Sequence, residues 1–172
     1  MEYQQKEKIK VLLIKPDEGF DDTEVEALKT DLSNRNVPIY LEIREESVDT
    51  IRSKSIKEIN PDIMISFDLV GFEQCTLTGG IAYNLLNCKQ IHILRNEQLP
   101  NEKYLAGQLS ISMFFYCVST VYYEYLSLRY PEIPYLREIE GWNEVREVVG
   151  DANNAHVLAN MIIEVAQKCC LI

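Results

Sequence analysis

NPDIMISFDLVG, at residues 60–71, is the clearest structural signal in this chain of 172 residues. Pro61 ends a preceding helix, because its ring clashes with the turn before it and disfavours helical backbone at the previous residue. Residues 63–67 then form a short, mostly apolar run, which is typical of a strand covered on both faces. Asp68 follows where that strand ends. Because ligands of open α/β sheets bind beyond the carboxyl ends of the strands, we expect residues 68–72 to border any functional site.

Strand-like and helix-like patterns alternate along the rest of the chain. Further predicted strands lie at residues 11–14, 38–43, 90–94, 111–118 and 135–139, and predicted helices begin near Asp21, Ser47, Ile81, Ser119 and Asp151. This order predicts a three-layer α/β sandwich, with a mostly parallel, Rossmann-like sheet of five or six strands and helices on both faces. The first strand is expected in the centre and the second near an edge. We expect the two most apolar strands, after Pro61 and after Ser110, to be parallel neighbours.

Composition indicates one globular unit. Residues 1–7 form a polar lead, and residues 8–172 are predicted to form a single domain that ends in a long helix. A formal net charge of −10 argues against broad contact with nucleic acid or an anionic membrane. The polar start lacks the apolar core of a secretory signal, and the five cysteines show no paired CxxC spacing. We therefore predict a cytoplasmic location.

The familiar phosphate-binding motifs are missing. The loop after the first strand carries neither G-x-G-x-x-G nor G-x-x-x-x-G-K-[ST], so no cofactor is predicted. Gly79 and Gly80 precede a predicted helix and would let backbone N–H groups approach a phosphate or carboxylate. The alternative, which we favour, is a plain turn.

Acidic residues gather at the ends of two predicted strands. They are Asp17, Glu18, Asp21 and Asp22 after the first strand, and Asp68 after the third. Phospho-receiver domains hold Mg²⁺ in this way, but they also need a Lys at the end of the fifth strand. Ser119 follows that strand here, so we favour helix capping as the role of Asp21 or Asp22.

Histidines and tyrosines give weaker signals. His92 lies within a predicted strand without neighbours suited to bind a metal, so no metal site is predicted, and a satisfied, half-buried imidazole is favoured over a general base. The tyrosines of residues 122–130 suit sugar stacking or protein contact, but helix-to-sheet packing is favoured.

Three segments together resemble the N-terminal, acceptor-side half of GT-B glycosyltransferases. They are the opening strand at residues 10–15, the Pro-Asp strand at residues 60–68, and the passage from Ile111 through Ser119 and Tyr130-Pro131 to Asn143. The second, donor-binding half of that family has no counterpart in the chain. The resemblance implies an acceptor-type half, or a catalytically incomplete relative, that acts with a partner transferase subunit on a sugar or nucleotide-sugar.

This comparison and the predicted strand ends select the candidate substrate-binding residues. They are Glu18, Asp68, Gly71, Phe72, Gly79, Gly80, Arg95 and Ser119. Catalytic residues cannot be assigned from the sequence. Two other functions stay open, namely a non-catalytic interaction module or homo-oligomer, and a small-molecule binder of flavodoxin or receiver type.

Overall fold

The computed structural model describes residues 8–35, 40–47, 50–51, 56–72, 83, 87–95, 99, 101–142 and 153–171. The strands are β1 (Lys8–Ile14), β2 (Tyr40–Glu46), β3 (Ile63–Phe67), β4 (Lys89–Leu94), β5 (Met113–Cys117) and β6 (Leu136–Glu138). The helices are α1 (Asp22–Asn34), α2 (Ile56–Ile59), α3 (Thr120–Arg129) and α4 (Asn153–Lys168), with a short 3₁₀ helix at Glu102–Tyr104.

One parallel sheet organises the described part of the chain. Its strand order is β2-β1-β3-β4-β5-β6, and every neighbouring pair is parallel. The predicted α/β sandwich is therefore confirmed, with β1 in the interior and β2 at an edge. The order β2-β1-β3-β4-β5 is the flavodoxin-type winding. The expectation that β3 and β5 are neighbours is wrong, because β4 lies between them.

Apolar side chains alternate along the strands and supply two cores. Ile63, Ile65 and Phe67 of β3 pack on the side of α1 and α4, whereas Met64 lies on the side of α3. All five β3 residues are buried, as expected for a strand covered on both faces. On the first side, α4 buries one face, which consists of Ala155, Leu158, Ile162 and Val165.

Side chains cap two helices: Asp21, as predicted for Asp21 or Asp22, and Ser119, where a helix was predicted to begin. The side chain of Asp21 accepts a hydrogen bond from the backbone N–H of Glu24, whose own side chain accepts one from Asp21 N–H. This reciprocal pair is a capping box, and it satisfies two otherwise unpaired donors at the start of α1. Ser119 caps α3 in the simpler way, by accepting a bond from the N–H of Tyr122.

Asp62 joins three strands at the amino end of the sheet. Its Oδ2 accepts a hydrogen bond from Lys10 N–H at 2.9 Å, and its own N–H donates to Lys10 O at 2.9 Å. Its carbonyl accepts from Lys89 N–H at 3.0 Å. The aspartate of the Pro-Asp passage therefore aligns β1, β3 and β4, and it lies at the end of β3 opposite to Asp68.

Asp31 and Arg35 of α1 form an ion pair that also contacts α4. Asp31 accepts hydrogen bonds from Arg35 Nε at 2.7 Å and lies 2.7 Å from Nδ1 of His156. Arg35 also donates to the side chain of Asn160. The hydrogen bond from Arg35 is the main cause that lowers the pKa of Asp31.

Gly71 lies where a side chain has no room. Its φ is +91°, and a Cβ added there would lie 1.9 Å from the hydroxyl oxygen of Tyr83. That hydroxyl donates a 2.9 Å hydrogen bond to the carbonyl of Val70. Gly107 also has a positive φ, of +75°, but an added Cβ there would meet nothing within 4 Å.

This contrast separates backbone strain from steric clash. Gly107→Ala should cost about 1 kcal/mol of unfolding free energy, because only the left-handed backbone is strained. Gly71→Ala should cost about 3 kcal/mol, because Tyr83 must also move and its hydrogen bond is lost. Urea unfolding of both variants measures the difference, and equal losses would contradict the packing described for Tyr83.

Candidate functional site

The connection that follows β1 and the connection that follows β3 lead toward opposite edges of the sheet. From β1 the chain goes to β2 on one side, whereas from β3 it goes to β4 on the other. We call the carboxyl ends of β1 and β3 the switch point. In doubly wound sheets this is where ligands bind, because the loops diverge there. Residues 15–21 and 68–72 are the described loop residues on its two sides.

Asp68 and Arg95 form an ion pair at the switch point. Arg95 donates to Asp68 Oδ2 from Nε at 3.0 Å and from Nη2 at 2.7 Å, and its backbone N–H donates to Oδ1 at 2.7 Å. The side chains are only 10% and 17% exposed. Since the carboxylate receives three donors in a shielded position, this contact is stronger than an exposed ion pair.

The same guanidinium reaches the loop after β1. Arg95 Nη1 donates to the carbonyl of Glu18 at 2.6 Å. Gly19, with φ +80°, allows this approach, because an added Cβ would lie 2.5 Å from Nη1. Arg95 thus connects the carboxyl ends of β1, β3 and β4. Three of its five N–H donors are used in these bonds, and two have no acceptor in the described part of the chain.

The backbone after β3 is strained. Asp68 and Leu69 have φ values of +51° and +56°, in the left-handed region that side chains disfavour. Hydrogen bonds hold it there: Asp68 N–H donates to Ile93 O at 2.8 Å, and the Asn101 side chain donates to Leu69 O at 3.1 Å. This geometry turns the Asp68 carboxylate toward Arg95.

Three aromatic rings adjoin the ion pair. The ring centroids of Phe20 and Phe67 lie 5.5 Å apart, those of Phe67 and Trp142 6.2 Å apart, and those of Phe20 and Trp142 6.4 Å apart. The Arg95 guanidinium lies 4.9 Å from the Phe67 centroid. Trp142 follows β6, so the chain after β6 crosses the carboxyl edge of the sheet to reach Phe20. Trp142 lies within the passage from Ile111 to Asn143 that resembles the GT-B half, but neither Trp142 nor Phe20 was predicted to be a site residue. Phe20 is the one aromatic residue in the loop before α1, which was the available signal.

The predicted site residues that the structure describes divide into three groups. Glu18, Asp68 and Arg95 meet at the switch point. Gly71 and Phe72 follow Asp68 but are buried, and Phe72 packs edge-on against Tyr83 and His92. Ser119 lies at the end of β5 as the cap of α3. Gly79 and Gly80 lie outside the described residues.

The acidic residues around α1 have local partners. Asp21 caps the helix and Asp22 forms an ion pair with Lys15. Within the described part of the chain, no group of three or more His, Cys, Asp or Glu side chains is arranged to hold a metal ion. Those described residues also include no helix that is long and apolar enough to cross a bilayer.

His92 belongs to a buried chain of hydrogen bonds. Gln90 Nε2 donates to the carbonyl of Tyr83 at 3.3 Å, so its Oε1 is the atom that faces His92 Nε2, at 3.0 Å. His92 must therefore carry its proton on Nε2, which leaves Nδ1 to accept from the Ser66 hydroxyl at 2.8 Å. Ser66, Gln90 and His92 are at most 1% exposed. The imidazole is satisfied, as predicted, but fully rather than half buried.

This burial has an electrostatic consequence for His92. Loss of hydration lowers the pKa of the imidazole from its ordinary 6.5 to about 3, so the ring is neutral at physiological pH. Its ring also stacks on Phe115 at 5.1 Å. A Ser-His pair that solvent and substrate cannot reach has a structural role in the core.

The tyrosines form two clusters around carboxylates. Tyr122, Tyr125 and Tyr130 all donate hydrogen bonds to Glu102, at 3.2, 2.8 and 3.2 Å. On the other side of the sheet, Tyr116 and Tyr135 donate to Glu164. Burial and the nearby carboxylate raise the pKa of Tyr122. Tyr122 is buried, as predicted for helix-to-sheet packing, whereas Tyr125 is exposed.

Comparison of the chain with known protein families, with characterised proteins and with solved structures finds no match.

Acid should destabilise the protein through His92. The unfolded state binds a proton below about pH 6.5 and the folded state does not, so stability falls as pH decreases from 6.5 toward 3. At about 1.4 kcal/mol per pH unit, unfolding free energy should drop by about 2 kcal/mol between pH 7.5 and 5. Urea unfolding at the two pH values measures it.

The chain offers a matched control, because His156 is its only other histidine. The drop should persist in His156→Gln and largely disappear in His92→Gln. Proton NMR of the unmodified protein gives an independent measurement, since the ring resonances of His92 should stay constant from pH 8 to 5. Titration of His92 near pH 6.5 would overturn the assignment of a buried neutral ring.

The Asp68–Arg95 pair should be strongly coupled. Asp68→Asn should lower the free energy of unfolding by about 2 kcal/mol, because it removes the carboxylate charge that faces the Arg95 guanidinium. Asn also tolerates the left-handed backbone, so this loss does not include new backbone strain. Arg95→Gln should lower the free energy of unfolding by a similar amount, and the double variant should lose less than the sum of the two single losses. Additive losses in urea unfolding would show that the two side chains act independently.

Proposed function

We propose that this protein binds a small anionic molecule, of the nucleotide or nucleotide-sugar class, at the switch point. The observation that carries the proposal is Arg95: it lies at the switch point, partly shielded from solvent, with two N–H donors left by its contacts to Asp68 and Glu18. Phosphate and carboxylate groups are the usual acceptors of a guanidinium fork.

Two further features support this class of ligand. Trp142 is partly exposed beside Phe20 and Phe67, so it offers a ring face for stacking on a base or sugar. The flavodoxin-type strand order favours ligand binding at this end of the sheet. Ser66 and His92 are buried, so neither acts as nucleophile or base, and the proposal concerns binding.

A ligand screen tests the proposal. The panel contains inorganic phosphate, adenine and uridine nucleotides, flavin mononucleotide and nucleotide-sugars, and two signals are read for each compound. The first is the melting temperature, which rises when a ligand binds only the folded state. The second is intrinsic fluorescence, because Trp142 is the single tryptophan and reports directly on the proposed site.

Variants locate the binding. Arg95→Gln should abolish the response to an active ligand, whereas Arg35→Gln, which removes an ion-paired arginine of α1 remote in the sequence, should retain it. A flat response of the unmodified protein to the whole panel would refute the proposal, and so would equal affinity of the Arg95→Gln variant.

The same panel addresses the glycosyltransferase-like hypothesis, which stays a prediction. An acceptor-side half that works with a partner transferase subunit is expected to prefer nucleotide-sugars or free sugars over nucleotides alone. Preference for flavin or for adenine nucleotides would favour the small-molecule binder of flavodoxin type instead.

A further inference from the structure

Helix α3 exposes an apolar stripe. Among the described residues, four large apolar side chains are exposed, and three of them lie on α3: Val121 at 68%, Tyr125 at 45% and Leu128 at 84%. The fourth, Ile111, precedes β5 at 85% exposure. Since α3 must return to the amino end of the sheet before the parallel strand β6 begins, Leu128 and Ile111 lie at the same end of the domain.

The spacing of the stripe is that of a helix-pairing seam. Val121, Tyr125 and Leu128 are separated by four and then three residues, the alternation of d and a positions in a heptad. The inner face of α3 is occupied separately by Tyr122 and Leu126, which pack on the sheet. The stripe is thus additional to the contacts that hold α3 in the fold.

Tyr125 is held in place before any partner arrives. Its hydroxyl donates a 2.8 Å hydrogen bond to Glu102, and its ring stacks on Tyr122 with a centroid distance of 5.6 Å. An exposed aromatic residue with a restrained side chain loses little conformational entropy on binding. Tyrosines in this state are typical anchors of protein interfaces.

The charges beside the stripe select the partner. Glu124 occupies the g position on one flank and Arg129 the e position on the other, and both are exposed. In a parallel pair of helices, the g flank of one helix faces the e flank of its partner. In an antiparallel pair each flank faces its own kind, which would set Glu124 against Glu124 and Arg129 against Arg129.

We infer that α3 is a self-association surface, on which a second copy of this chain packs its own α3 in parallel about a two-fold axis. Glu124 of each copy pairs with Arg129 of the second copy, and the apolar stripes meet between the two ion pairs. Because α3 carries one Glu and one Arg, this face adds no net charge to a chain whose total is −10. One helix buries less surface than a permanent dimer requires, so the dimer is reversible.

Charge exchange tests this arrangement. Sedimentation velocity of the full chain over a micromolar concentration range should show a monomer–dimer equilibrium. Glu124→Arg and Arg129→Glu should each weaken dimerisation by about tenfold or more, because like charges then meet across the pair. The double variant restores opposite charges and should return to within about threefold of the original affinity.

The control is Glu26→Arg on α1, which reverses an exposed glutamate far from the stripe and should leave dimerisation unchanged. Leu128→Ser should weaken dimerisation without a change of charge, and circular dichroism of each variant verifies its fold. A monomer at all concentrations, or single charge variants with unchanged affinity, would overturn the proposal. Failure of the charge exchange to restore binding would exclude the parallel arrangement. None of these outcomes depends on Arg95 or on a ligand.

Discussion

The guanidinium of Arg95 is the contact on which the carboxyl end of the sheet depends. Arg95 follows β4, and its guanidinium donates to the carboxylate of Asp68 after β3 and to the carbonyl of Glu18 after β1. Parallel strands have no hairpins, so the chain itself joins them only through long connections. One planar cation with donors in several directions connects the three strand ends. The left-handed backbone at Asp68 persists because this contact and the surrounding bonds outweigh its strain.

Much of the architecture was accessible from local patterns. The apolar run of β3, the capping residues Asp21 and Ser119, and the buried stripe of α4 are all local signals, and the structure contains each of them. The position of β4 was not accessible in this way. Gln90 and His92 make it look less apolar than β3 and β5, so it was not expected between them. Their polarity is satisfied by Tyr83, seven residues before Gln90, and by Ser66, which is distant in the sequence, and no local pattern records these pairings.

The candidate site, too, could be predicted from the sequence only in part. Glu18, Asp68 and Arg95 were selected because polar residues at strand ends converge in a parallel sheet. Trp142 was missed as a site residue, because its contact with Phe20 depends on the path of the chain after β6. Gly71 and Phe72 were selected for their position after Asp68, but the turn at Asp68 and Leu69 directs both into the core. Backbone geometry of this kind requires coordinates.

The order in which strands enter the sheet also has a consequence for synthesis on the ribosome. Once β1 and β2 have emerged, β3 adds on the free side of β1, and each later strand, from β4 to β6, adds beside the one before it, so the sheet grows along a single front. A nascent chain can assemble in this direction without displacing a strand already paired. The growing front is exposed until the next segment leaves the exit tunnel. In the described part of the chain, the last strand of this front is β6, whose three residues include Arg137 and Glu138, and such a short, charged strand resists further addition by unrelated chains.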